Sequence, residues 1–134
     1  MSTFHLKIST PDGLRFEGDV ERLRVRMIDG DVSLLAHHID YVSAVGAGEA
    51  AVTTKEGQTR YAACIGGMLA MIDNEANLIA TTFEWADEID LERAKRAKEE
   101  AEARIETAKN DDKELMIASA KLQRALVRIN VKHE

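Results

Sequence analysis

All eight glycines and the single proline of this 134-residue chain fall within its first 84 residues. Glycine and proline punctuate turns, so the first part of the chain is cut into short extended segments and the rest runs on as uninterrupted helix. The change comes near Trp85. The pattern predicts an α+β protein with an N-terminal antiparallel β-sandwich over residues 1–86 and a C-terminal antiparallel two-helix hairpin over 87–134.

The first part reads as about eight to ten short strands. Phe4, Leu6 and Ile8 alternate with His5, Lys7 and Ser9, which gives one buried and one wet face. Pro11-Asp12-Gly13 is a turn: Pro presets φ and Gly is free to take φ > 0. Leu14, Phe16 and Gly18 continue the alternation. Leu23, Val25 and Met27 then alternate with Arg22, Arg24 and Arg26, and Asp29-Gly30 marks another turn. Further strands are expected over residues 32–35, 41–45 and 50–55. Glu56-Gly57 leads as a hairpin loop into a strand over 59–65. A last hairpin runs 68–72, turns through 73–77 and returns over 78–82. Many short strands at this spacing point to a sandwich or a flattened barrel.

The second part opens on Asp87, Glu88 and Asp90, acids that favour a helix start through capping and the helix dipole. The first helix is expected over residues 90–108, with Ala94, Ala97, Ala101, Ile105 and Ala108 on its inner stripe at steps of three and four. Asn110-Asp111-Asp112 breaks it. The second helix is expected over 113–129, with Leu115, Ala118, Leu122, Ala125 and Ile129 facing inward. Two helices joined so closely form an antiparallel hairpin. An alanine stripe buries little area, about 25 cal/mol for each Å², while the Ala, Glu, Lys and Arg content gives high intrinsic helicity. Strong helices with weak docking suit an element that opens.

Bulk composition removes several functions. A net charge of −6 argues against a nucleic-acid partner, because phosphate binding needs a basic surface. The one cysteine, Cys64, has no internal partner and sits in an apolar run as a buried, inert thiol. The longest uncharged apolar run has twelve residues, 61–72, against the roughly twenty that a spanning helix needs. No signal-peptide pattern opens the chain. The expected place is the cytoplasm, or the cytoplasmic face of the cell membrane through a partner.

No catalytic constellation, phosphate-cradling glycine loop or zinc spacing is present, and no metal or cofactor is expected. His37 and His38 are adjacent and would point apart on a strand, so they make a poor metal pair; a loop or surface pair is the plainer reading. Arg22, Arg24 and Arg26 share a strand face, either solvated or suited to an acidic partner. Gly66-Gly67 marks a bulge or a close backbone approach. Arg124 and Arg128, four apart on a helix, point the same way and with an acid at a helix start could grip a phosphate; a solvated face is the plainer reading.

Thr10-Pro11-Asp12-Gly13 followed by Phe16-Glu17-Gly18 resembles the start of epsilon subunits of F-type ATP synthases. So do Gly30-Asp31 through Leu34-Leu35 to His38, and Ile65-Gly66-Gly67-Met68-Leu69. Glu88-Ile89-Asp90 opening an alanine-rich helix and the ending from Arg124 to Val131 are similar too, in the same order and at the same spacing. The resemblance implies a β-sandwich followed by two helices, placed on the central rotor stalk. Its implied partners are the gamma subunit, the c-ring and, when the hairpin opens, the catalytic alpha/beta head, where it inhibits ATP hydrolysis. It implies a non-catalytic regulatory subunit that docks through residues 31–40, with Asp31 and His38 as docking residues; the stripe of Arg22, Arg24 and Arg26 joins them as a docking candidate on its own charge.

Some bacterial members bind ATP in the closed hairpin. The resemblance carries that site onto Glu84, Ile89, Asp90, Arg93, Ala94, Arg124 and Arg128. Glu100 stands where the family has a mid-helix arginine, so regulatory ATP is expected to bind weakly or not at all, with Arg96 and Arg104 one turn away as partial substitutes. The stretch from Ser33 to Asp40 also departs from the family's proline-containing pattern, at Ser33, Ala36, His37 and Asp40. Two other readings remain open at this stage: a free-standing nucleotide sensor, and an adaptor whose hairpin pairs with a partner coiled coil.

Overall fold

The structure, a computed structural model, describes residues 2–133. The chain divides into two compact units, Met1–Trp85 and Ala86–Glu134. Among the described residues the first holds seven strands: β1 (Phe4–Thr10), β2 (Gly13–Met27), β3 (Gly30–Leu35), β4 (Tyr41–Ala44), β5 (Ala47–Thr54), β6 (Thr59–Ile72) and β7 (Glu75–Trp85). They are fewer and longer than the eight to ten expected, because two pairs of predicted strands are each continuous. The stretches around Phe16 and Val25 form one strand of 15 residues, and residues 59–72 form one of 14.

Both long strands change partners along their length. The first half of β2 pairs with β1, from Thr10↔Gly13 to Phe4↔Val20, and the second half lies between β3 and β5 after a register shift between Val20 and Arg22. Strand β6 pairs with β5 up to Ala47↔Ile65, then with β4 from Ala44↔Met68, and keeps β7 on its other side. The handover in β6 falls on Gly66 and Gly67, with φ of 73° and 111°. A Cβ at Gly67 would collide with the backbone of Ile79, so close approach as well as dihedral freedom requires glycine there. Bending a strand here, rather than ending it, lets one segment serve two neighbours.

Strands β1, β7, β6, β5 and β2 close into a ring through the β1–β2 pairing. The sequence reading expected antiparallel pairing throughout, and β1–β7 departs from it: His5↔Glu75 through Ser9↔Ile79 run parallel. The cause is parity. A ring of five strands cannot alternate direction all the way round, so one neighbour pair must be parallel. The alternating apolar residues fill the interior, and Leu6, Ile8, Val20, Leu23, Leu69 and Leu78 have no exposed surface. Trp85 closes the unit in edge-to-face contact with Phe83 at 4.9 Å and Phe16 at 6.1 Å, with the Arg60 guanidinium 3.8 Å from its ring centre.

The second unit has a short turn of 3-10 helix, Ala86–Glu88, then α1 (Leu91–Thr107) and α2 (Asp112–His133). Asp90 has extended dihedrals and caps α1, its Oδ1 accepting from the Arg93 backbone N–H at 3.1 Å. Asp111 caps α2 in the same way, accepting from Lys113 N at 3.1 Å and Glu114 N at 3.2 Å. Helix α2 runs past the expected end at residue 129 because Val131 continues the buried stripe and Lys132 Nζ donates to Ala86 O at 3.0 Å. The seam is the predicted alanine one: Ala94 and Ala101 are buried on α1, and Ala118 and Ala125 on α2.

Candidate functional site

The loop after β3 is held from outside itself. His37 is in the left-handed region, φ 64°, and its backbone N–H donates to Asn74 Oδ1 at 2.6 Å. Asp40 Oδ1 accepts from the Asp73 backbone N–H at 3.2 Å. Asp73 and Asn74 both have positive φ, 50° and 64°, the signature of a two-residue hairpin turn. The five-residue turn expected over 73–77 is therefore too long: β7 already begins at Glu75, because Asp and Asn tolerate the left-handed conformation that so tight a turn demands. Asn74 Nδ2 also donates to Thr3 O at 3.1 Å. His38 stacks edge-on against Tyr41, centroids 6.1 Å apart, with its Nδ1 2.7 Å from Ile39 O. The two histidines lie in the loop after β3, as the plainer reading had them, and among the described residues no cluster of three or more His, Cys, Asp or Glu side chains is arranged to hold a metal.

The arginine stripe shares its face with acids and a hydroxyl. Arg24 Nη2 meets Glu49 Oε1 at 2.6 Å, and these side chains are only 26% and 12% exposed. Asp31 lies 3.8 Å from Arg26 Nη1 and 3.9 Å from Arg24 Nη1, and Arg22 Nη2 donates to Ser33 Oγ at 3.0 Å. Glu49, missed from the sequence, takes the middle arginine. Its signal was present: it is the one charge in β5, a strand otherwise of small and apolar residues and threonines.

An apolar surface lies on the outside of the same unit. Met68 is paired with Ile79 across β6–β7, Val42 lies opposite Ala70 on β4, and Ile72 ends β6. Val42, Met68, Ile72 and Ile79 are each 46% exposed or more. Four large apolar side chains on one side of a unit whose interior is already filled mark a surface meant to be covered.

Of the residues assigned to nucleotide, Glu84 lies half-buried on β7 in the first unit. In the second, Ile89 and Ala94 are buried, Asp90 and Arg93 are exposed, and Arg124 and Arg128 are half-buried on α2. The contact between Lys132 and Ala86 places the end of α2 beside the start of α1, so the two arginines belong to the end of the hairpin where Asp90 caps. The Asp90 carboxylate is already engaged by Arg93 N. Glu100 and Arg96 are exposed. Arg104 is committed across the hairpin to Glu114 Oε2 at 3.2 Å.

Sequence reasoning also missed His5. Its Nε2 lies 2.8 Å from Glu17 Oε2 and its Nδ1 3.2 Å from Asp19 Oδ1. Hydrogen bonding to Glu17, then to Asp19, raises the imidazole pKa above its ordinary 6.5, and the same bond to His5 lowers that of Glu17. Cys64 is buried, and burial pushes its thiol up to about 12, which leaves no reactive thiolate.

These features define a β-sandwich unit with exposed apolar side chains on its outside, followed by a helical hairpin with a thin seam. Residues 3–86 match the ATP synthase delta/epsilon chain β-sandwich domain, and residues 87–132 match the long α-helix domain of the same chain. ATP synthase epsilon chains are similar over nearly all of the sequence. That of Halalkalibacterium halodurans is 36% identical over 98% of both chains, and that of Caldicellulosiruptor bescii is 37% identical over 100% of this chain and 96% of its own. The fold also superposes on a chain of the Euglena gracilis mitochondrial ATP synthase structure, with a TM-score of 0.87 at 19% identity, covering 100% of this chain and 83% of that one. The chain belongs to the ATP synthase delta/epsilon family, as an epsilon subunit of the F-type enzyme. Among the described residues no helix is long and apolar enough to cross a membrane.

Proposed function

We propose that this subunit is a non-catalytic part of the rotor, at the cytoplasmic face of the membrane, joining the gamma subunit to the c-ring and restraining ATP hydrolysis through its hairpin. The observation that carries the coupling role is the exposed apolar surface of Val42, Met68, Ile72 and Ile79 on an otherwise closed β unit. It supports a permanent partner on the β unit, and residues 31–40 with Asp31 and His38 supply a second contact directed at the ring. The regulatory role is supported by the seam of α1 and α2, where Ala94 and Ala101 bury far less area than leucines would. Such a hairpin can part without losing its helices, which is what reaching into the catalytic alpha/beta head requires. ATP bound near Asp90, Arg124 and Arg128 would hold the hairpin closed, but with Glu100 at mid-helix and Arg104 tied to Glu114 that binding is weak or absent. Purification of the tagged subunit from native membranes tests the placement: the gamma, c and catalytic subunits should co-purify, and a subunit recovered alone would overturn it.

A further inference from the structure

Residues 33–40, Ser-Leu-Leu-Ala-His-His-Ile-Asp, contain neither glycine nor proline. Nothing in their own composition restricts the backbone, and His37 occupies a left-handed conformation, φ 64°, that a non-glycine residue avoids when unsupported. Within the loop the backbone contributes one hydrogen bond, His38 N to Leu35 O at 3.2 Å. His38 adds its own contacts to Ile39 O and the Tyr41 ring, and the restraint on His37 comes from the β6–β7 turn. Asn74 accepts from His37 N at 2.6 Å and donates to Thr3 O at 3.1 Å, while Asp40 accepts from Asp73 N at 3.2 Å. Asn74 thereby ties three segments distant in sequence: the lead into β1, the loop after β3, and the turn before β7.

We propose that Asn74, seconded by Asp40, is the positioning residue of the docking loop: its hydrogen bonds fix the left-handed turn at His37 and so present His38 and Ile39 in the shape the ring-side partner accepts, beside Asp31, which β3 holds in place. The proposal rests on the reading of residues 31–40 as a docking loop. Asn74 does not touch the partner in this account. It acts by removing in advance the conformational freedom that the loop would otherwise lose on binding. Asn suits the place because it tolerates φ 64° itself and carries both an acceptor for His37 N and a donor for Thr3 O.

The test replaces Asn74→Gly, which keeps the left-handed backbone without strain and deletes both side-chain bonds. Rebinding is measured to native ATP synthase stripped of this subunit, with amide exchange at His37 followed in the free subunit. Loss of the loop restraint should speed exchange at His37 and weaken rebinding by about ten-fold, with the melting temperature of the β unit little changed. Asn74→Asp retains the acceptor for His37 N but loses the donor to Thr3 O, so exchange at His37 should stay slower than in Asn74→Gly. His37→Gly in the Asn74→Gly background should restore much of the affinity, because glycine adopts the turn unaided; a purely structural defect would not be rescued. Asp40→Ala, which leaves the β6–β7 turn residues unaltered, should weaken rebinding in the same direction and serves if Asn74→Gly folds poorly. Unchanged exchange at His37, or faster exchange with unchanged rebinding while Asp31→Lys still weakens it, overturns the positioning role alone. Unchanged rebinding for Asp31→Lys and His38→Ala as well overturns the docking reading beneath it.

Discussion

His5 shows how much chemistry a single half-buried position can hold. Its ring joins two carboxylates of the neighbouring strand, Glu17 at 2.8 Å and Asp19 at 3.2 Å, with Lys7 and Glu75 as the other charged groups on the adjoining strand positions. Folding raises the His5 pKa, so its contribution to stability is complete below the ordinary 6.5 and disappears as pH climbs through the raised folded value. Folding lowers the Glu17 pKa, so its contribution is present above the ordinary 4.5 and disappears as pH falls through the lowered value. The clasp across β1–β2 is thus fully formed between 4.5 and 6.5. Titration of the His5 ring followed by NMR should give a midpoint above 6.5 in wild type, moving down in Glu17→Gln; a wild-type midpoint at or below that value would mean the clasp does not form in solution. Part of this was legible in the sequence. Alternation placed His5, Glu17 and Asp19 on a wet face, and a hairpin centred on Asp12 pairs residue 5 with 19. The register shift between Ile8 and Ser9 leaves no mark in residue types, and it decides which pairs meet.

Among the elements, α1 was the easiest to read, because Asp90 caps it and alanines recur at helical spacing; its observed span, Leu91–Thr107, lies within the expected one. Helix α2 was harder to end, since Val131 and Lys132 hold on through tertiary contacts that no capping residue announces. Strand existence was legible from alternation, but strand continuity was not: Gly66-Gly67 looks like a stop, and only the choice of partners on either side makes it a bend. The proposed docking residues divided in the same manner. Asp31 and His38 stood out through resemblance, whereas Asn74 was hidden inside what read as an ordinary turn. The hairpin carries its own prediction. Glu100 places an anion near the middle of α1, where a phosphate-binding site would need a cation, and one charge-assisted contact contributes about 1.5–3 kcal/mol. Calorimetry on the isolated subunit should find ATP binding weak or undetectable, and Glu100→Arg should tighten it by about one to two decades. Tight binding by the wild type would refute this account, and no gain in the variant would place Glu100 away from the phosphates.

For the whole molecule, the division at Trp85 sets the expectation for truncation. The ring of strands closes within Met1–Trp85 and its core residues come from β1 to β7, so a chain ending at Glu88 should fold with a cooperative melt and rejoin the stripped synthase. An insoluble or non-cooperative product would show that the two units share one core. The parity that makes β1 and β7 parallel has a mechanical consequence. The chain enters the unit at the start of β1 and leaves it at the end of β7, and in a parallel pair these points lie at opposite ends of the shared ladder. Tension between the two exits therefore loads the rungs from His5↔Glu75 to Ser9↔Ile79 together, in shear, instead of peeling them one at a time.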